Sequence, residues 1–179
     1  MDAPESGAQL LDGAGVQRAL SRIAHEILER NHRTENLVLV GIRSRGVHLA
    51  RRIETRLREL TGHEIRVGSI DITPYRDDVE QPHERIEVTA TDVPLPVEEQ
   101  VVVLVDDVIS TGRTVRVALD VLGGLGRPRG VQVAALIDRG DREVPIRADY
   151  VGQNLTAGER RRVYVRVREL DGADEVELR

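Results

Sequence analysis

The sequence predicts an α/β fold, a central and mostly parallel β-sheet flanked by helices, in a single domain over residues 1–179. Two observations carry that prediction. Short unbroken apolar runs, at residues 37–41 and 101–105 above all, have the length and β-branched content of strands buried on both sides. Between such runs lie stretches whose apolar residues recur every three or four positions, as in amphipathic helices. Strands alternating with helices favour parallel crossover units over a sheet built from hairpins.

Residues 1–12 show no periodicity and are expected to form a loose N-terminal segment. Over residues 16–29, Val16, Leu20, Ile23 and Ile27 share one helical face, and Arg18, Arg22, His25 and Glu29 the other. A strand at 37–41 is followed by a loop at 42–46 and a helix at 47–60, with Leu49, Ile53, Leu57 and Leu60 in register and Gly62 ending it. A further strand spans 65–72. The polar stretch 73–84, with Pro74 and Pro82, reads as a mobile loop, and 85–92 as a returning strand. Pro94 and Pro96 mark a turn before the strand at 101–105. A helix over 113–122 is stopped by Gly123 and Gly124, and strands follow at 131–137 and 163–167.

Composition narrows the chemistry. Three Tyr and no Trp or Phe leave an aliphatic core and argue against a base-stacking platform for single-stranded nucleic acid. Without cysteine there is no disulfide, thiolate metal site or thiol nucleophile. All 26 basic residues are arginines, which removes Schiff-base chemistry and a phosphate-binding lysine. A net charge of −5 disfavours wholesale nucleic-acid binding but allows a local basic face. With no long apolar run and no signal-like N-terminus, a cytoplasmic protein that does not span a membrane is expected.

Ligands of open parallel sheets bind beyond the carboxyl ends of the strands. Residues 101–114, VVVLVDDVISTGRT, place their polar groups there. Asp106 and Asp107 stand where the strand is expected to end, and Val108, Ile109, Ser110, Thr111, Gly112, Arg113 and Thr114 lead into a helix. Unpaired amides and a helix dipole suit a phosphate at such a turn. The carboxylates need other partners, and vicinal ribose hydroxyls with a shared magnesium ion supply them. Acids for a sugar beside donors for a phosphate describe a phosphorylated ribose. The plainer reading, an acid pair that caps a helix, leaves the rest of the string unexplained. A second strand-to-helix loop, GIRSRG at 41–46, holds Arg43, Ser44, Arg45 and Gly46. Taken alone, its arginines are ordinary solvated loop residues.

The 101–114 string resembles the 5-phosphoribosyl-1-pyrophosphate (PRPP) signature of type I phosphoribosyltransferases. Three further stretches, SRIAHEILERN at 21–31, IDITPYRDD at 70–78 and IDRGDREVPIRADYVG at 137–152, resemble the PyrR family of pyrimidine-operon regulators with uracil phosphoribosyltransferase activity. The likeness runs from about residue 16 to 154, and more loosely to 169. It implies a type I fold with a flexible loop and a small hood over the active site. It implies transfer of the phosphoribosyl group from PRPP to uracil, giving UMP and pyrophosphate, with Mg²⁺ bound mainly through PRPP near Asp106 and Asp107. By the same resemblance residues 43–46 are the pyrophosphate loop, often with a cis peptide, and Arg45 holds the leaving group. Arg76, with Asp77 and Asp78, closes over the site, and Asp138 and Arg139 lie near the base. A second implied activity is binding the pyr operon leader mRNA through Ser21, Arg22, His25, Arg30, Ser44, Arg142 and Arg147. Dimers or tetramers are implied as well.

Some positions depart from that family. Asp141 stands where His is usual and Gln153 where Lys is usual, which removes cationic character from the RNA face and adds an anion. Leu155 is followed by Thr156, Ala157 and Gly158 rather than Pro-Thr-Ser; Ser110 replaces a Tyr and Pro74 a Leu. A salvage enzyme with little RNA binding, or a purine phosphoribosyltransferase, is the alternative. A dinucleotide oxidoreductase is disfavoured, because the first loop lacks Gly-x-Gly-x-x-Gly. The five histidines show no ligand-like spacing.

Overall fold

The computed structural model describes residues 7–72, 91–155 and 161–179. Along the chain run β1 (Ala8–Leu11), α1 (Gly13–Arg30), β2 (Leu37–Ile42), α2 (Arg45–Thr61), β3 (Arg66–Ile70), β4 (Val101–Ile109), α3 (Arg113–Leu125), β5 (Gly130–Asp138), β6 (Tyr150–Asn154), β7 (Val163–Arg166), α4 (Arg168–Asp171) and β8 (Glu175–Leu178). Five of these strands form one parallel sheet in the order β3-β2-β4-β5-β6.

Two-sided burial explains the unbroken apolar runs. All six residues of β2 are buried. Leu37 and Leu39 pack with α1 and α2, while Val38, Val40 and Ile42 pack on the other face with Val115, Ala118 and Leu122 of α3. β4 repeats the alternation, with Val103 and Val105 on one side and Val102 and Leu104 on the other. A strand covered by helices on both faces has no solvent side to mark with polar residues.

A second, antiparallel sheet, β1-β8-β7, forms a hood from the two ends of the described chain. Over residues 8–12 this corrects the expectation of a loose N-terminal segment. Ala8 and Gln9 pair with Leu178 and Glu177, and the Asp12 carboxylate accepts a hydrogen bond from the Gly15 N–H at 2.7 Å to cap α1. Residues 1–6 lie outside the described residues. Four residues of strand are too few to show a period, and their partner is at the far end of the sequence.

Two boundaries are also corrected. Gly123 and Gly124 do not stop α3, which continues to Leu125 and ends where Gly126 takes φ +151°. Each glycine costs a helix about 1 kcal/mol relative to alanine; burial of Leu122 and packing of Leu125 against the core offset it. β4 does not end before the acids but runs through Asp106 and Asp107 to Ile109. Of the strand expected at 85–92, only Thr91 and Asp92 are among the described residues, and Asp92 is joined to Ser69 by an antiparallel bridge; 73–90 lie outside them.

Candidate active site

The strand order fixes where a ligand fits. From β2 the chain crosses through α2 to β3 on one side, while β4 lies on the other side of β2. Loops leaving β2 and β4 therefore diverge, and a crevice opens between them at the carboxyl ends, the topological switch point of an open α/β sheet. Residues 43–46 and 110–112 are those two loops. β2 and β4 stay paired only to Gly41 and Val105, whereas β4 continues beside β5, with Asp106 opposite Ala135 and Ile109 opposite Asp138. The acids thus lie past the last β2 partner, along an edge of β4 that the crevice exposes. Asp106 is buried, at 7% exposure, and Asp107 half-buried.

Beside the acids is a small cavity of about 70 Å³, lined by Asp106, Val108, Ile109, Ser110, Thr111, Gly112, Thr114 and Val115. Its wall is built by hydrogen bonds on the opposite side. The Ile109 carbonyl accepts from the Arg139 N–H at 2.9 Å, the Ser110 carbonyl from the Arg142 guanidinium at 2.6 Å, and the Thr111 carbonyl from the Glu143 and Val144 N–H groups, both at 3.0 Å. In a planar trans peptide the carbonyl and the next amide point in opposite directions. Three carbonyls pulled toward residues 139–144 therefore turn the amides of Ser110, Thr111 and Gly112 toward the inner side of the turn. Gly112 precedes α3 at φ +89° without a side-chain cap of its own; the Thr111 hydroxyl accepts from the Arg113 N–H at 3.3 Å, and the amides that follow stand at a helix N-terminus that favours an anion. The geometry is that of an anion cradle.

The acids are also pre-set. One Asp106 oxygen accepts from the Asp107 N–H, and one Asp107 oxygen from the Val108 N–H, each at 2.9 Å. Each of these hydrogen bonds holds its carboxylate plane through one oxygen. Among the described residues no three acidic or histidine side chains converge on a metal. The donor set, two adjacent carboxylates, fits a hard Mg²⁺ ion that keeps its waters and shares phosphate oxygens with a substrate.

In the second loop the Arg43–Ser44 peptide is cis, in keeping with the implied pyrophosphate loop. No side chain caps α2 either, so a second helix N-terminus faces the crevice. Arg45, at its start, does not extend freely. Its Nε and Nη2 donate to the two carboxylate oxygens of Asp171 in the hood, at 3.3 and 2.9 Å. The Val167 N–H, donating to Asp171 at 2.8 Å, holds that carboxyl below the ordinary range; partial burial opposes the shift and Arg45 adds to it. Sequence reasoning missed Asp171 altogether.

The segment after β5 is more structural than the sequence suggested. Asp138 accepts from the Gly140 N–H at 2.8 Å and from Arg142 at 2.6 Å, and its carbonyl accepts from the Leu155 N–H at 2.8 Å. Arg142 spends its Nε on the Ile146 carbonyl, its Nη1 on Ser110 and its Nη2 on Asp138. Arg142, assigned to RNA by resemblance, is thus also the brace that sets the phosphate turn. Arg113 pairs with Glu143 at 2.6 Å across the same junction.

Of the other residues assigned to RNA, the structure gathers several on one face. Arg22 donates to the Val151 and Gly152 carbonyls, the His25 ring pairs with the Ser21 carbonyl at 2.7 Å, and Arg30 pairs with Asp149 at 2.5 Å. The polar side of α1 and the start of β6 therefore form one surface. Arg147 is exposed on the neighbouring loop, and Ser44 stands apart at the start of α2. Arg76, Asp77 and Asp78 lie outside the described residues.

Fold and loops together define a phosphoribosyltransferase of type I. The family model described as a phosphoribosyl transferase domain matches residues 6–164. Among solved structures, the hypoxanthine phosphoribosyltransferase of Trypanosoma cruzi in complex with IMP shares the fold at a TM-score of 0.74, with 19% identity over 100% of this chain and 94% of that one. A hypoxanthine phosphoribosyltransferase from Staphylococcus aureus gives a TM-score of 0.70 at 19% identity, covering 96% and 92%. Sequence is more discriminating: the chain is 56% identical to the bifunctional protein PyrR of Pelotomaculum thermopropionicum, over 94% of this chain and 93% of that protein. It is 51% identical to that of Deinococcus radiodurans, over 99% and 96%. The chain belongs to the PyrR family.

Proposed function

We propose that this protein transfers the 5-phosphoribosyl group of PRPP to uracil, forming UMP and pyrophosphate with Mg²⁺, as a single domain over 1–179 in an assembly of two or four copies. The observation that carries the reading is the turn at 110–112, whose carbonyls are tied outward so that its amides receive a phosphate beside two fixed carboxylates. The 5′-phosphate takes the amides and the start of α3; the ribose diol takes Asp106 and Asp107. Pyrophosphate departs toward residues 43–46 and the uncapped start of α2, and Arg76 closes over the site. Positioning and charge stabilisation of an oxocarbenium-like transition state supply the rate, and no covalent nucleophile is needed. Mg²⁺ supplies charge neutralisation on the diphosphate. The base lies near Asp138 and Arg139, on the far side of the brace from the phosphate turn.

Incubation with uracil, PRPP and Mg²⁺ is expected to yield UMP and pyrophosphate, and chelation by EDTA to stop it. Turnover with hypoxanthine or guanine, and none with uracil, would replace this reading with purine salvage.

A second activity, binding the pyr operon leader mRNA, is favoured by the single surface that Arg22, His25 and β6 share. It is opposed at two places. Asp141, which pairs with Arg139 at 3.3 Å, puts a carboxylate where the family usually has His, and Gln153 in β6 brings no charge. The double variant Asp141→His, Gln153→Lys is expected to tighten leader binding in a filter assay. The slope of log K against log salt should steepen by roughly 0.7 to 1.8, one to two phosphate contacts. Equal gains on a scrambled leader would show charge attraction alone.

A further inference from the structure

The active site as proposed leaves Asp171 without a role, although it is the group that Arg45 touches. α4 is a single turn of the hood, and its carboxylates clasp α2 at two places: Asp171 grips Arg45, and Glu169 grips Arg52 at 2.9 and 2.5 Å. Arg45 and Arg52 are seven residues, about two helical turns, apart, so they fall on one side of α2. The neighbouring pair and the burial of Val167 hold α4 in place. Asp171 is itself anchored by the Val167 N–H.

The direction of the grip matters. Asp171 occupies the Nε–Nη2 edge of the guanidinium. Among the described residues nothing accepts a hydrogen bond from Nη1. A planar fork held along one edge has the other edge aimed, with little side-chain freedom left to lose when an anion arrives.

We propose that Asp171 is a positioning residue for the leaving group, holding Arg45 by one edge so that its Nη1 edge is presented to the oxygens of pyrophosphate. This rests on the assignment of residues 43–46 as the pyrophosphate loop. Asp171 touches neither substrate nor product; it acts through Arg45. The hood is thereby more than a cover, because it sets a side chain of the loop that begins the opposite helix.

Asp171→Asn tests it, since the amide keeps an acceptor for the Val167 N–H while losing the charge that grips Arg45. The KM for PRPP, and for pyrophosphate in the reverse reaction, is expected to rise about five- to tenfold with the KM for uracil unchanged. In an Arg45→Gln background the same substitution should cost nothing further. An unchanged KM for PRPP would overturn the proposal, as would independent, additive losses. A lowered KM would overturn it too, by showing that Asp171 competes with pyrophosphate for Arg45. If Arg45→Gln alone leaves the PRPP KM untouched, the loop assignment itself fails. Should Asp171→Asn not fold, Arg45→Lys, which keeps the charge without the fork, is expected to raise the PRPP KM similarly, and a wild-type value would again overturn the proposal.

Discussion

Asp107→Asn, and separately Asp106→Asn, should lower kcat/KM for PRPP by about 10- to 150-fold while leaving the thermal midpoint within a few degrees of wild type. Each carboxylate accepts on one oxygen from the amide that follows it, at 2.9 Å, and in the proposed function the other oxygen serves the ribose or Mg²⁺. An asparagine in the same place can still accept from that amide, so the local fold survives. Its other group becomes an N–H₂ donor, which can neither accept a hydrogen bond from a ribose hydroxyl nor ligate Mg²⁺. Losing a hydrogen bond to a charged acceptor costs about 1.5–3 kcal/mol, which sets the fold-change. A merely structural acid pair would give the opposite pattern, lower stability with turnover intact. Leader binding measured without nucleotide should not change, because the surface of α1 and β6 is built from other residues. Steady-state kinetics with a melting curve on the same samples separates these outcomes.

How much of this was legible in the sequence depends on the reach of each interaction. β2 and β4 were plain because burial on both faces writes itself as an unbroken apolar run, and the acid pair and phosphate turn were plain because all their parts are consecutive. The geometry that makes the turn an anion cradle was not, since its carbonyls are tied by Arg139, Arg142, Glu143 and Val144, some thirty residues on. Arg142 looked like any arginine of a basic stretch; only its three acceptors show it to be a brace. Asp171 was invisible for a stronger version of the same reason, being separated from Arg45 by 126 residues in a segment without a motif. β1, where a loose segment is expected, is not legible because it is short and its partner, β8, is at the opposite end. At Gly123 and Gly124 local propensity favours a stop, and the packing of Leu122 and Leu125, which propensity does not register, holds the helix on.

Gly46→Ala should be the most damaging single methyl in the protein, with kcat/KM down by about a hundredfold or more. A Cβ at this position would lie inside the van der Waals shell of the Val105 carbonyl oxygen and 3.3 Å from the Asp106 Cα. Those atoms are backbone of β4, paired into the sheet, so no side chain can swing aside. The first turn of α2 has to retreat by on the order of 1 Å to restore contact distance, and Arg43, Ser44 and Arg45 retreat with it from the acids. Displacement of that size between a leaving-group loop and the group that holds the sugar is what proximity catalysis does not tolerate. Overpacking should also cost about 1–3 kcal/mol, a Tm lower by roughly 3–10 °C. Gly124→Ala supplies the contrast: nothing lies within 4 Å of its added methyl, and a helical alanine there should raise stability by up to about 1 kcal/mol with turnover unchanged. If Gly46→Ala keeps wild-type kinetics, the close approach of α2 to β4 does not set the distance between the two loops. The phosphate turn would then have to bind and orient PRPP without a fixed partner across the crevice.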